Sequence, residues 1–187
     1  MEARPGAGLP RGDELSYLDL LNAVARVVGG TQPSASQSSV AAALQPYWFS
    51  GRDTGDSSGV AGLVGCFSLP TSTIDATPVA MVLPGPWRPN SNFPFPTQGH
   101  KFTEDDVHVR VMVGHDDEQA QMARLVNFRD TLPPAFDAHM QLFGSAGVST
   151  AWSNEGDFLE VLWSGNVYFA LQFVVRVQRS LPVAYVG

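Results

Sequence analysis

The segment from Val167 to Val177 carries the pattern that most restricts the fold. Every second residue in it is apolar, and Gln172 and Arg176 lie on the opposite face. Alternation over this length is typical of a strand with one face in a core. The turn residues Ser164-Gly165-Asn166 follow a further apolar segment at 157–163. The sequence therefore predicts an antiparallel hairpin over 157–178.

A second alternating segment lies at 107–113, where four valines share one face, and Gly114 ends it. The acidic residues 116–118 that follow suit the N-terminus of a helix, which favours negative charge. Apolar residues then recur at helical spacing through about Thr131. Pro133-Pro134 is expected to break or kink this helix, because proline lacks a backbone N–H.

Shorter segments complete the C-terminal half. A second helical piece is predicted over Ala135–Phe143 and a strand over Val148–Trp152, so that the last three strands form a meander. Helices and antiparallel strands in this order predict an α+β fold, mainly an antiparallel sheet with helices packed on one face. A single domain over residues 1–187 is expected, since the chain is 187 residues long and 44% hydrophobic.

The N-terminal half is less regular. Residues 1–12 are rich in Gly, Pro and Arg and are expected to be a flexible arm, and Asp13 then caps an amphipathic helix at 14–28. Residues 31–100 form a loop-rich insertion, in which aromatic residues between the prolines indicate long ordered loops rather than a linker. The expected strands are Val60–Leu69 and Pro78–Leu83, and Pro84-Gly85-Pro86 and Asn92–Pro96 are expected to be turns or extended segments.

The charge excludes one class of function. A net charge of −7 argues against a general binder of the phosphate backbone, which needs a basic stripe. Acidic residues form two clusters, which we expect to be an acidic surface or the lining of a lumen: Glu104, Asp105, Asp106, Asp116, Asp117 and Glu118.

No pattern for catalysis stands out. Gly55-Asp56-Ser57-Ser58-Gly59 resembles the stretch around a serine protease nucleophile, but all four histidines follow it, and turn chemistry accounts for it. His108 and His115 lack the spacing of metal ligands, and no phosphate-binding loop is present. The single cysteine, Cys66, lies in an apolar run and is expected to be buried. We therefore expect no enzyme, no metal and no cofactor.

Aromatic residues between the prolines suggest contacts with other molecules. Exposed Trp and Arg on ordered loops are typical interface anchors, although a loop folded over its own core explains them equally well. The candidate interface residues are Trp48, Trp87, Arg88, Phe93 and Phe95. Trp152 and Trp163 lie on expected strands and are predicted to be core residues.

The segment from Val107 to Val177 resembles the tail terminator proteins of long-tailed bacteriophages. The similarity lies in an alternating strand, a helix running into Leu125–Leu132, and a closing hairpin with a small residue and Gly165 before an aromatic-rich last strand. The helix at 14–28 fits the same order of elements. The resemblance is one of pattern, and residues 31–100 depart from it.

The resemblance implies a structural virion protein with no catalytic residues. Such a protein forms a hexameric ring at the head-proximal end of the tail, ends polymerisation of the tail tube and joins the tail to the head connector. DNA passes through without specific binding. The sequence predicts no signal peptide and no membrane span, which favours assembly inside a cell. A final place in the virion tail or neck, after assembly in the host cytoplasm, is what the resemblance implies.

Besides an enzyme whose dispersed Ser, His and Asp residues come together only in the fold, two other functions remain open at this point. One is another head–tail connector or tail tube protein. The other is a small carbohydrate- or ligand-binding module in which exposed Trp48 and Trp87 stack on a sugar ring.

Overall fold

The computed structural model describes residues 17–29, 48–49, 63–68, 70, 74, 76–89, 100–142, 148–154 and 156–182. The expected arm at 1–12, Asp13, the Gly55–Gly59 stretch and Asn92–Pro96 lie outside these residues. The described elements, in chain order, are α1 (Tyr17–Gly29), β1 (Trp48–Phe49), β2 (Gly65–Phe67), β3 (Val79–Pro89), β4 (His100–Val113), α2 (Glu118–Ala138), β5 (Val148–Ser153), β6 (Asp157–Trp163) and β7 (Asn166–Pro182).

The described strands form one mixed sheet, and the fold is α+β. The strand order is β1-β2-β3-β4-β7-β5, and β6 also pairs with β7. Strands β2 and β3 pair in parallel, whereas the other pairs are antiparallel. The strands between residues 31 and 100 therefore extend the same sheet that the C-terminal strands build.

The predicted hairpin is confirmed, but the meander is wrong. Strand β6 pairs with β7 up to Trp163 and Asn166, and Ser164 and Gly165 both have positive φ, 49° and 83°. This backbone suits the twist of a two-residue hairpin. Strands β5 and β6, however, both pair with β7 rather than with each other.

One edge of β7 is thus paired by two strands in succession, with a break between Ser153 and Asp157. At the break, the backbone N–H of Asn154 donates to the carbonyl of Val174 at 3.0 Å, and its side-chain oxygen accepts from Val174 N at 2.6 Å. At Gly156, a Cβ would lie 2.7 Å from Leu171 Cδ1 and 2.8 Å from the Phe173 ring. The edge of β7 therefore stays hydrogen-bonded across the break, where its pairing partner changes from β5 to β6.

The buried residues form two clusters. The first core cluster contains the buried residues of both helices together with the odd-numbered residues of β4 from Val107 to Val113 and of β7 from Phe169 to Val177. The second core cluster consists of Val79, Met81, Met112, Val161, Tyr168 and Ala170. Consecutive residues of β4 and β7 thus enter different clusters, as expected for strands.

The first helix is confirmed over its described part, and it packs against the short strand β2. Leu20, Val24 and Val28 are fully buried at helical spacing. The Cys66 thiol, on β2, donates to the carbonyl of Ala25 at 3.6 Å. Cys66 is fully buried, as predicted, and burial raises the pKa of its thiol.

Strand β3 is longer than predicted, and β2 is shorter. Pro84-Gly85-Pro86 lies within β3, extended, where the register against β4 shifts between Pro84 and Trp87. Gly85 lies so close to β4 that a Cβ would meet the carbonyl oxygen of Asp106 and come within 2.7 Å of His108 Cδ2. The Tyr17 hydroxyl bonds to both Gly85 N and Gly85 O, at 3.2 and 3.3 Å.

Of the break or kink predicted at Pro133-Pro134, the break is wrong, since α2 continues through both prolines to Ala138. The separate helical piece predicted over Ala135–Phe143 is wrong for the same reason. Leu125, Phe128, Leu132 and Phe136 are buried at intervals of three and four residues, so one face of the helix enters the first core cluster on both sides of the prolines. A proline in a helix interior costs about 3 kcal/mol, because it removes a hydrogen bond and its ring clashes with the preceding turn. Burial of Leu132 and Phe136 offsets this cost.

Candidate protein interaction surface

Two of the six acidic residues predicted to form a surface are buried, so that prediction is wrong for Asp105 and Asp106. Strand β4 begins at His100 rather than near Val107, so both lie inside the sheet and meet cations of β7. Asp105 Oδ2 accepts from Arg179 Nε at 2.6 Å, and Asp106 Oδ1 accepts from Arg176 Nε at 3.0 Å. Asp105 and Asp106 lie in a segment with few apolar residues, and their arginine partners are distant in the sequence. From the sequence alone, such a run of acids therefore resembles an exposed face of a strand.

The other four acids remain accessible. Glu104 is half-buried, and its side chain accepts from Gln178 Nε2 at 3.4 Å. The acidic residues 116–118 lie at the start of α2 as predicted, and Asp117 caps the helix, since its side chain accepts from Ala120 N at 3.1 Å. Hydrogen bonds from its own backbone N–H and from Gln121 lower the pKa of Asp116. Asp116, Asp117 and Glu118 are all exposed at the start of α2.

The predicted aromatic interface is not brought together by the described residues. Trp48 pairs with Phe67 in the register of β1 and β2, and Trp87 pairs with Asp105 in that of β3 and β4. The side chains of Trp48, Trp87 and Arg88 lie outside the described part of the structure, as do Phe93 and Phe95. Trp163 is half-buried against the second core cluster, whereas the side chain of Trp152 is not described.

The structure instead presents apolar side chains along β6. Leu162 is 72% exposed, and Val167, its direct partner across the hairpin, is 46% exposed. Phe158 is 38% exposed on the same face of β6 as Leu162, and Val126 of α2 is 48% exposed. Three large apolar side chains of the hairpin are thus exposed to water, as is one of α2.

A groove runs between β6 and α2, with a volume of about 320 Å³. We call it the β6 groove. The residues that line it include Glu118, Met122, Leu125, Phe158, Glu160 and Phe169. Phe169 and Glu160 are direct partners in the sheet, while Glu118, Met122 and Leu125 come from α2. Apolar side chains make the base of the groove, and two carboxylates lie along it.

Aromatic contacts fix the two sides of this groove. The His115 ring stacks on Phe169 with centroids 4.3 Å apart and planes at 21°. The Arg129 guanidinium carbon lies 5.9 Å from the centre of the Phe158 ring, within the range of a cation–π contact. These contacts hold Phe169 and Phe158 in place, so the groove is formed before any partner arrives.

The groove exists because β6 is an edge strand. Within the described residues β6 pairs only with β7, so its outer N–H and C=O groups have no ladder partner. Its sequence, DFLEVLW, places apolar residues on both faces. Leu159, Val161 and Trp163 contact the second core cluster, which leaves Phe158 and Leu162 on the other face. In the sequence, this surface is indicated by apolar residues on both faces of β6, because a strand with only one buried face would alternate apolar and polar residues.

The chemistry of this surface suits a polypeptide. Exposed apolar patches and open hydrophobic edges mark sites of protein contact. Glu118 and Glu160 place two carboxylates on the groove, and the Arg129 guanidinium lies against Phe158 beside it. A polypeptide segment with apolar and basic side chains would bury its apolar side chains in the groove and pair its basic side chains with these carboxylates.

Two other kinds of site are absent from the described ranges. No group of three or more His, Cys, Asp or Glu side chains there could hold a metal ion. None of the described helices combines the length and apolarity needed to cross a membrane. No protein-family model matches the chain, and neither does any curated protein.

Proposed function

We propose that this chain is a structural virion protein, a tail terminator that forms a hexameric ring at the head-proximal end of a phage tail. The observation that carries the proposal is the β6 groove with the exposed Leu162 and Val167 beside it, an apolar surface on an open sheet edge. Water-exposed apolar side chains of this size favour association with another protein.

The order of elements supports the same proposal. A helix, long antiparallel strands, a second helix and a closing hairpin follow one another along the chain, as the resemblance to tail terminators implies. In the ring, we propose, both helices pack on one face of the sheet, and the loops of residues 31–100 contact neighbouring copies. The tail tube protein and the head connector then dock on the two ends of the ring.

The charge of the chain fits the passage of DNA. With −7 per chain, the ring carries a strong negative field, and carboxylates facing a lumen repel the phosphate backbone. Asp116, Asp117 and Glu118 supply an exposed acidic group for this purpose.

The test is the solution mass of the purified chain, measured by light scattering after size exclusion, with negative-stain images of the same peak. We expect rings of about six copies, or a monomer that forms rings when tail tubes are added. Leu162→Asp should weaken association by about tenfold to a hundredfold, because an interface loses a buried leucine and gains a charge. Leu162 is largely exposed, so the monomer should fold normally.

Met140→Asp is the matched control. Met140 is 52% exposed, and it lies after the far end of α2, where its carbonyl accepts from Ala151 N. The control should assemble like the unmodified chain. A strict monomer that ignores tail tubes and connectors would overturn the proposal. In that case sugar binding by the monomer would favour a carbohydrate-binding module.

A further inference from the structure

We propose that an extended segment of another protein adds to the open edge of β6 as a further strand, with a basic side chain opposite Glu160 and apolar side chains opposite Phe158 and Leu162. This inference rests on the proposed function, since it states the chemistry of the strand that a protein docking on the ring would supply. It is carried by the direction of the edge backbone groups, by the order of the side chains along β6 and by charge.

The backbone groups of three residues point out of this edge. A β-turn joins the two residues that flank it by a hydrogen bond, and along an antiparallel hairpin such pairs alternate with pairs that lack these bonds. Trp163 and Asn166 flank the turn and are direct partners. Counted from them, the pairs that Leu162, Glu160 and Phe158 form with β7 are of the second kind. The N–H and C=O groups of these three residues therefore face the open edge, where an added strand can bond to them.

The side chains of the same three residues lie on one face of β6, towards the groove. Leu162 is 72% exposed and Phe158 is 38% exposed, and the exposed Glu160 lies between them. A strand bonded to this edge places its own side chains directly beside them, about 5 Å away. Apolar side chains at the two outer positions would remove Leu162 and Phe158 from water. The residue opposite Glu160 has to suit a carboxylate.

Charge assigns this middle position to a basic side chain. Glu118 of α2 lines the same groove as Glu160, and among the described residues neither carboxylate has a hydrogen bond or an ion pair. The Arg129 guanidinium lies over the Phe158 ring, 5.9 Å from its centre. A second cation is therefore disfavoured beside Phe158 and favoured beside Glu160, so the partner strand carries the order apolar, basic, apolar at every second residue.

A second copy of β6 does not have this order of side chains. Two antiparallel β6 strands bury Phe158 against Leu162 only in the register that places Glu160 opposite Glu160. Like charges directly opposite each other destabilise a sheet. Glu160 therefore disfavours the pairing of two copies through this edge and favours a basic strand.

The rest of residues 1–187 does not supply such a strand either. Eight of the eleven basic residues belong to described helices and strands. The other three are Arg4, Arg11 and Arg52, and none of them has apolar residues two positions away on both sides. The partner strand therefore comes from a different protein.

Labelled peptides test the charge order. The probe is the fluorescein-labelled peptide TVTRTVT, in which two valines and an arginine have the proposed spacing, and TVTETVT is its matched control. Fluorescence anisotropy should show about tenfold tighter binding of TVTRTVT to the unmodified chain, because the control places like charges together. Glu160→Arg should reverse this preference. Asp157→Arg makes the same charge reversal on the opposite face of β6 and should leave the preference unchanged.

Amide hydrogen exchange, followed by NMR on the isotopically labelled chain, tests whether TVTRTVT binds as a strand. At about nine-tenths occupancy, the exchange of the Phe158, Glu160 and Leu162 amides should slow about tenfold, because these N–H groups gain partners that are lost only when the peptide leaves. The amides of Leu159 and Val161 face β7 already and should change less.

The outcomes separate this inference from the proposed function. Equal binding of the two peptides, or an unchanged preference in Glu160→Arg, would overturn the inference and leave Glu160 as a charge that only keeps copies apart. Protection of the edge amides that rises with the concentration of the chain alone would also overturn it, because a second copy would then occupy β6. An unmodified chain that stays monomeric with tail tubes present would instead overturn the proposed function, while the peptide result would stand.

Discussion

At the scale of single residues, the buried polar groups determine how β4 and β7 are joined. Asp105 and Arg179 are both more than nine-tenths buried, and each is the charged partner of the other across the two strands. Losing one partner leaves a charge in an apolar environment, which costs more than the pair contributes. The pair therefore specifies which residues of the two strands face each other.

A double-mutant cycle tests this role. Arg179→Met should lower the free energy of unfolding by about 3–5 kcal/mol, because Asp105 keeps a buried and uncompensated charge. Asp105→Leu combined with Arg179→Met should recover most of that loss. Arg176→Met is the comparison, since Arg176 is 37% exposed and its loss should cost less. Urea unfolding followed by circular dichroism gives the values, and equal losses in all three variants would contradict this account.

Cys66 predicts a dependence of stability on alkaline pH. Burial raises the pKa of its thiol in the folded chain, so the folded state keeps the proton that the unfolded state releases above a pKa of about 8.5. The stabilisation is complete below that pH and decreases by about 1.4 kcal/mol per pH unit above it. Urea unfolding between pH 7 and 10.5 should show this slope, and Cys66→Ala should flatten it by that amount. An unchanged slope in Cys66→Ala would count against a buried thiol.

At the scale of elements, α2 shows where tertiary contacts override local preference. Two consecutive prolines predict the end of a helix, yet Phe136 and Leu132 continue the buried face beyond and beside them. Pro133 and Pro134 cannot donate to the carbonyls of Arg129 and Asp130, so the buried face has to offset that loss. Sequence periodicity describes this helix better than its helix-breaking residues do.

Phe136→Ala tests whether burial holds the end of α2 in place. The variant should lose about 3–5 kcal/mol of unfolding free energy, since a large core side chain is replaced by a cavity. Asp137→Ala, at the adjacent exposed position, should change stability by less than about 0.5 kcal/mol. Thermal denaturation of the two variants side by side gives the comparison. A mild effect at Phe136 would show that the helix is held by its first half alone.

The predictable elements were those with one face in a core. Alternation in β7 and in the second half of β4 identified both strands, and a glycine turn identified the hairpin. The first half of β4 lacked this signal because Asp105 and Asp106 have partners seventy or more residues away. The groove was missed because Phe158 and Leu162 lie in an apolar segment that predicts only a strand of the hairpin, without its exposed face. A sequence pattern records that a side chain avoids water, and it does not record which molecule provides the contact.

At the scale of the whole molecule, the distribution of acids matters more than their number. Two of the predicted surface acids are paired with arginines inside the sheet, so the acidic lumen of the proposed ring would be built from Glu104 and the cluster at 116–118. Because every copy in a ring repeats the same cluster, a small change per chain becomes a large change in the field.

Removing this charge should make rings retain DNA. Asp116→Asn, Asp117→Asn and Glu118→Gln together remove three negative charges per copy, and asparagine at position 117 keeps a good helix cap. At low salt, the neutralised rings should retain double-stranded DNA at least about tenfold better than unmodified rings in a filter-binding measurement. The matched control is Asp130→Asn with Asp137→Asn, at exposed positions later in α2. Equal retention by all rings would contradict a lumenal role for this cluster.

Strand β7 contacts β4, β5 and β6, and it also supplies Phe169 to the β6 groove. Because β7 pairs with three of the described strands, both the sheet and the groove are completed only when its 17 residues have been synthesised. At typical rates of translation this takes about 1–3 s. A nascent chain in which β7 has not yet been made therefore has no finished surface to offer a neighbour, and recruitment into an assembly is restricted to chains in which this strand is complete.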